Sequence, residues 1–198
     1  MNRDSPSGQV SSEDAVQAQQ DGTQAPTRAA GLVLGALRIV VGWTFLWAFV
    51  DKLFALGYAT GVDPDTGAVD RFGDAAWIHG GSPTEGFLAF GADGPFTDLY
   101  HNIAGDAWAD WLFMAGLLGI GVSLTLGVFM RLGTTSGVVL YLLMWSVVLP
   151  PDNNPITDDH TIGALVMAVL GLYAAGRYLG LGRWWERQPL VQRFPILK

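Results

Sequence analysis

Long stretches without charge constrain this chain more than any other feature. Between Ala29 and Val50 the only charged side chain is Arg38, and none occurs from Trp111 to Met130, Leu132 to Leu149 or Thr161 to Gly176. About 17–25 mostly apolar residues form a helix long enough to cross a hydrocarbon core about 30 Å thick. The pattern predicts an all-α, four-helix transmembrane bundle with spans at about 29–50, 111–130, 132–149 and 160–180. It also explains why charged residues make up only 15% of the 198, against about 25% in soluble domains. A soluble enzyme and a disordered chain are excluded on these grounds. So is a nucleic-acid partner, because a net charge of −7 has no affinity for a phosphate backbone.

The chain contains no cysteine. It can therefore form no disulfide, thiolate nucleophile, cysteine-held zinc site or iron–sulfur cluster. His79, His101 and His160 all lie outside the predicted spans, so two buried histidines cannot hold a haem between helices. No metal site is expected.

Basic residues set the orientation. Arg3 and Arg28 precede span one, Arg131 separates spans two and three, and Arg177, Arg183, Arg187, Arg193 and Lys198 follow span four. The positive-inside rule then places both termini in the cytoplasm of a multi-pass cell-membrane protein. Residues 1–28 read as a disordered cytoplasmic tail, 29–180 as the membrane domain and 181–198 as a cytoplasmic C-terminal tail. The outer segments hold 13 of the 18 acids.

The outer loop 51–110 is long enough to act as a lid. Asp63-Pro64-Asp65-Thr66-Gly67 reads as a turn rather than a calcium loop. Ser82-Pro83-Thr84-Glu85 predicts a capping box, with proline at the first position of a helix that Gly91 stops. A second short helix, from near Pro95 to Gly105, places Phe96, Leu99, Tyr100 and Ile103 on one face. Asp106 or Asp110 is expected to cap span two, and Asp158 or Asp159 span four.

Inside the membrane, Arg38 is a functional candidate by its position alone. It can snorkel to lipid phosphates, tie the helices together or meet a ligand oxygen. Glycines four apart (Gly31 and Gly35, Gly133 and Gly137, Gly176 and Gly180) predict close helix approach at the cytoplasmic end. Trp43, Trp47 and Trp145 in the outer halves read either as walls of a cavity or as an interfacial belt.

Three segments carry a family resemblance: Leu37-Arg38-Ile39-Val40-Val41-Gly42-Trp43-Thr44-Phe45-Leu46 with Asp51-Lys52-Leu53; Ala76-Trp77-Ile78-His79-Gly80-Gly81-Ser82-Pro83-Thr84 with Gly86-Phe87-Leu88; and Asn153-Asn154-Pro155 with Asp158-Asp159-His160. Over roughly residues 30–180 the chain resembles the DoxX/DoxD family of small bacterial membrane proteins. The resemblance implies a four-helix subunit of respiratory redox chemistry, like the large subunit of a thiosulfate:quinone oxidoreductase. Other members of that family associate with detoxifying enzymes in a membrane oxidoreductase complex. The alternative reading of this chain is a non-catalytic membrane anchor or scaffold that recruits a redox or detoxifying enzyme.

A quinone needs apolar contacts for its ring and donors at its oxygens. Trp43, Trp47 and Trp145 are candidates for the ring contacts, and Arg38 and Asn154 for cofactor binding. Lys52 and His160 are candidate donors, with Asp51 and Asp159 as proton relays beside Asp158. Expected partners are membrane lipid, quinone, a redox protein and further copies of the chain.

Overall fold

A computed structural model describes residues 26–198 apart from residue 153, so the predicted disorder of the N-terminal tail and the Asn153 position fall almost wholly or wholly outside the described residues. The described chain is all-helical, with one isolated antiparallel bridge between Val62 and Val69. Four longer helices dominate: α1 (Arg28–Phe54), α4 (Ala107–Leu126), α5 (Met130–Val147) and α6 (Asp159–Leu172). Two short helices, α2 (Glu85–Phe90) and α3 (Thr97–Ile103), lie in the long loop, and α7 (Gly182–Trp185) and α8 (Pro189–Arg193) in the C-terminal segment. By length and composition, α1 and α4 are apolar enough to cross a membrane.

Helix ends follow local chemistry. Thr27 caps α1, its Oγ1 accepting from the Ala30 N–H at 3.3 Å. Gly127 ends α4 at φ +75°, a conformation that costs glycine little. Prolines 150 and 151 follow the end of α5, where no further N–H can be donated. Of the two predicted caps for α6, Asp158 takes the role in a reciprocal capping box with Thr161, and Asp159 is the exposed first helical residue.

The long helices pack in chain order: α1 against α4, α4 against α5 and α5 against α6. Their core is Phe45, Met114, Leu117, Ile120, Leu124, Met130, Met167 and Leu170. Two close approaches to α1 leave no room for a side chain. A Cβ at Gly42 would lie 2.7 Å from the Thr125 backbone nitrogen, and one at Gly35 2.8 Å from the Tyr178 carbonyl.

Several expectations need correction. The helix expected over 160–180 stops at Leu172; Ala174 takes φ +47° and a short 3-10 turn, Ala175–Arg177, follows. Gly176 and Gly180 are therefore not a helical pair. The chain turns inward there because Ala175 and Gly176 are buried against Gly127 and Met130. Proline 83 sits two residues ahead of α2 rather than inside it. Ser82 Oγ does accept from the Glu85 N–H at 3.1 Å, as half of a capping box. The expected apolar face of α3 is split: Tyr100 and Ile103 pack with Leu88 and Val147, whereas Phe96 and Leu99 are exposed.

Of the two predicted caps for α4, Asp106 takes the N-cap position but makes no side-chain cap bond, and Asp110 lies inside the first turn. Asp110 instead ties the loop to the helix. Its Oδ1 accepts from Ser82 Oγ at 2.8 Å, Thr84 Oγ1 at 2.6 Å and Thr84 N at 3.2 Å. Tyr100 Oη and Ser146 Oγ, 2.5 Å apart, fasten α3 to the end of α5. Residues 51–110 thus pack over one end of the bundle. Asp63 Oδ1 accepts from the Asp65 and Thr66 N–H groups, which makes the acidic stretch a turn.

At the opposite end the C-terminal segment folds back. The Arg131 N–H donates to the Lys198 carbonyl and its Nη1 to that of Pro195, both under 3 Å at 2.7 and 2.9 Å.

Candidate functional site

The sequence-predicted residues divide into two groups, one engaged in building the bundle and one beside open space. Arg38 belongs to the first and is wholly buried. Its Nη1 donates to the carbonyls of Leu124 and Thr125, and its Nη2 to those of Tyr178 and Leu179 at 3.2 and 3.0 Å. Two of these carbonyls belong to the last turn of α4 and two to the non-helical stretch after α6. A helix end leaves four carbonyls without intrahelical donors. Here Arg38 serves two of them, the Gly127 and Val128 N–H groups serve Ser123, and the Leu181 N–H serves Leu126. The guanidinium therefore ties helices together, one of the three roles open to it from sequence. It neither snorkels nor faces the cavities described below.

Asp51 is also structural in its contacts. Buried at the end of α1, it accepts from the backbone N–H groups of Tyr58 and Ala59 at 3.2 and 2.9 Å. Its neighbour Lys52 places Nζ 6.0 Å from the centre of the Phe113 ring. Asn154 Oδ1 accepts from the Ile156 and Thr157 N–H groups and so shapes its own loop. Trp145 Nε1 donates to the Ile156 carbonyl at 2.8 Å, anchoring that loop to α5. Trp43 is 58% exposed and stacks at a tilt on Trp47, which meets Tyr58 edge-on. These tryptophans form an outward ladder on α1; they do not converge with Trp145 on a shared cavity.

His160 and Asp159 do line a cleft. It has a volume of about 860 Å³ and lies where α6 begins, between the 148–152 turn and the end of α2. Phe90, Val148, Leu149, Pro150 and Ile162 supply apolar wall, and Asp93, Asp152, Asp158 and Asp159 supply carboxylates. Within it, His160 Nδ1 lies 2.5 Å from Asp158 Oδ2. Burial alone would raise the Asp158 carboxyl. Hydrogen bonds from the His160 ring and from the Thr161 and His160 backbone, together with the imidazole charge, outweigh it and hold the carboxyl below its usual range. The His160 ring also meets Tyr141 edge-on at 6.4 Å, and Tyr141 meets Phe45 of α1 at 5.4 Å.

Chemically, the pair can take and return one proton. With Nδ1–H donating to the carboxylate, Nε2 carries the lone pair, and Asp158 stabilises the imidazolium once Nε2 is protonated. Asp158 as a partner, rather than only a cap, was readable from its place two residues before His160. Tyr141 and the α2 wall gave no such signal, since both contacts join distant parts of the chain. No metal-binding group of three or more histidine, aspartate or glutamate side chains occurs among the described residues.

No family model, no curated protein and no solved structure matches the chain in the comparisons made.

Proposed function

We propose that the protein is a four-span membrane subunit of a quinone-linked redox system of the DoxX/DoxD type its sequence resembles. The His160 cleft is then where the quinone ring meets a proton-handling group. The distribution of polarity supports the membrane setting. Val33, Val40, Leu112, Leu165 and Leu172 are 64–83% exposed on the long helices, whereas Arg38, Asp51 and Asp110 are buried. In water such a surface would be an aggregation hazard; in lipid it is the solvated face.

The fourth crossing is the demanding one. At about 1.5 Å per residue the 14 residues of α6 reach only about 21 Å. The rest of the crossing falls to the irregular 173–181 stretch. Non-helical backbone is tolerated at membrane depth only where protein satisfies its polar groups. Arg38 does this for Tyr178 and Leu179. An intramembrane arginine with no carboxylate partner is explained by the same contacts. Both termini then face the cytoplasm, with the basic C-terminal segment inside and the acidic lid outside.

The single observation that carries the redox reading is the His160–Asp158 pair at the wall of a half-apolar cleft of ligand size. A bound quinone supplies two-electron, two-proton chemistry; a small sulfur-containing donor at the outer face is the reductant the resemblance implies. The residues of this chain would orient the ring against Phe90 and Ile162, and would carry protons inward from solvent along Asp152 and Asp159 to His160 Nε2, for delivery to the quinone oxygens as the donor gives up its two electrons. Quinone extracted from protein purified in mild detergent, quantified by mass spectrometry, tests this. Near-stoichiometric quinone that falls to background in His160→Ala supports it. Background quinone in the unaltered protein contradicts it.

A second reading is a non-catalytic anchor that recruits a redox or detoxifying enzyme. The folded C-terminal segment favours it, because Arg183, Arg187 and Arg193 are exposed there beside Trp184. Glutamine at all three arginines would release the recruited protein from membranes if this reading holds.

A further inference from the structure

A second cleft, of about 410 Å³, lies where the lid meets the start of α4 and shares no lining residue with the His160 cleft. Trp77 and Trp111 form a corner in it, their ring centres 4.7 Å apart and their planes at 72°. Asp110 lines it and is 6% exposed. All three hydrogen bonds to Asp110 fall on Oδ1 and come from neutral donors, so Oδ2 receives none of them. Among the described residues the ion pairs join His160 with Asp158 and Arg177 with Glu186, and Asp110 has no cation. A buried carboxylate without a counter-charge is costly, and burial is normally accompanied by pairing. Glu85 adds a second carboxylate to the same lining, to which Gly80 and Gly81 also contribute.

Aromatic faces attract organic cations through the ring quadrupole, and a neighbouring carboxylate adds the opposite charge. The geometry points to a binding site for a small organic ammonium ion at the lid–α4 junction, with Asp110 as counter-charge and Trp77 and Trp111 as walls. The ligand is an alkylammonium group, free or carried on a lipid headgroup. The acidic lid favours its approach and disfavours anions. This inference requires neither the quinone reading nor the number of crossings, because the cleft is built from its own residues.

Asp110→Asn is the discriminating variant. It keeps an Oδ1 acceptor for Ser82 and Thr84 and removes the charge. Trp111→Leu is the second, since Trp111 is 66% exposed and its loss threatens the fold least. Ethanolamine and choline are titrated calorimetrically into the full chain in an uncharged detergent, with sodium chloride as the ionic-strength control. In parallel, unfolding midpoints are compared in nanodiscs of phosphatidylglycerol with and without phosphatidylethanolamine. Saturable binding of a free amine, weakened at least about tenfold by either variant, supports a soluble ligand. A midpoint raised only by phosphatidylethanolamine, and lost in either variant, supports a lipid headgroup. Heats or midpoints that sodium chloride reproduces, that neither variant changes, or that are absent in both formats overturn the site. Loss of quinone in His160→Ala with amine binding intact would show that the two sites are separate.

Discussion

Arg38 makes the strongest residue-scale claim. Its planar fork reaches two pairs of carbonyls on different elements, which one ammonium cannot do. Arg38→Lys is therefore expected to lower stability by on the order of 2 kcal/mol, and Arg38→Met by more, because buried carbonyls lose their donors. Unfolding in detergent measures both; equal midpoints for Arg38→Met and the unaltered protein would remove the clamp. Gly42→Ala is expected to cost about 1–3 kcal/mol, because the added methyl meets the Thr125 backbone rather than a yielding side chain. Asp158 gives a pH prediction. Its carboxyl titrates below the ordinary aspartate value of about 3.9 once folded. The stabilisation is thus fully present above that value and is lost as pH falls through the lower folded pKa. In Asp158→Asn this part of the acid destabilisation should disappear from midpoints followed downward from pH about 5.

At the scale of elements, the lid depends on a few polar ties. Removing the Tyr100 hydroxyl from its bond with Ser146 is expected to cost about 1 kcal/mol and to speed hydrogen exchange in α3 ahead of the long helices. A Tyr100→Phe protein with unchanged exchange would show that apolar packing alone holds the lid. The long helices were legible because uncharged runs and an acidic cap such as Asp158 are local signals; Gly127, which ends α4 short of the expected end of span two, was not read as a stop. The end of the fourth helix was not legible. Residues 173–180 carry no proline, and only the distant donors of Arg38 and the fit of Gly176 against Gly127 make the irregular path favourable. The candidate site was legible in part for the same reason. His160 and Asp159 stood out beside Asp158, whereas Asp51 and Asn154 look identical in sequence to site residues until their backbone partners are seen.

For the whole molecule, charge and apolarity are segregated along the bundle. Carboxylates gather on the lid and the α5–α6 turn, cations on the C-terminal segment, and large apolar side chains cover the long helices between them. The proposed membrane setting assigns each zone a solvent. The absence of native cysteine makes it directly measurable, since every introduced thiol is unique. Single-cysteine proteins Asp65→Cys, Ile156→Cys and Arg187→Cys, all at exposed positions, can be labelled in intact cells with a membrane-impermeant thiol reagent. Four crossings predict that the first two react in intact cells and that Arg187→Cys reacts only once the cells are opened. Labelling of Arg187→Cys in intact cells, or protection of Ile156→Cys, would contradict the four-span arrangement.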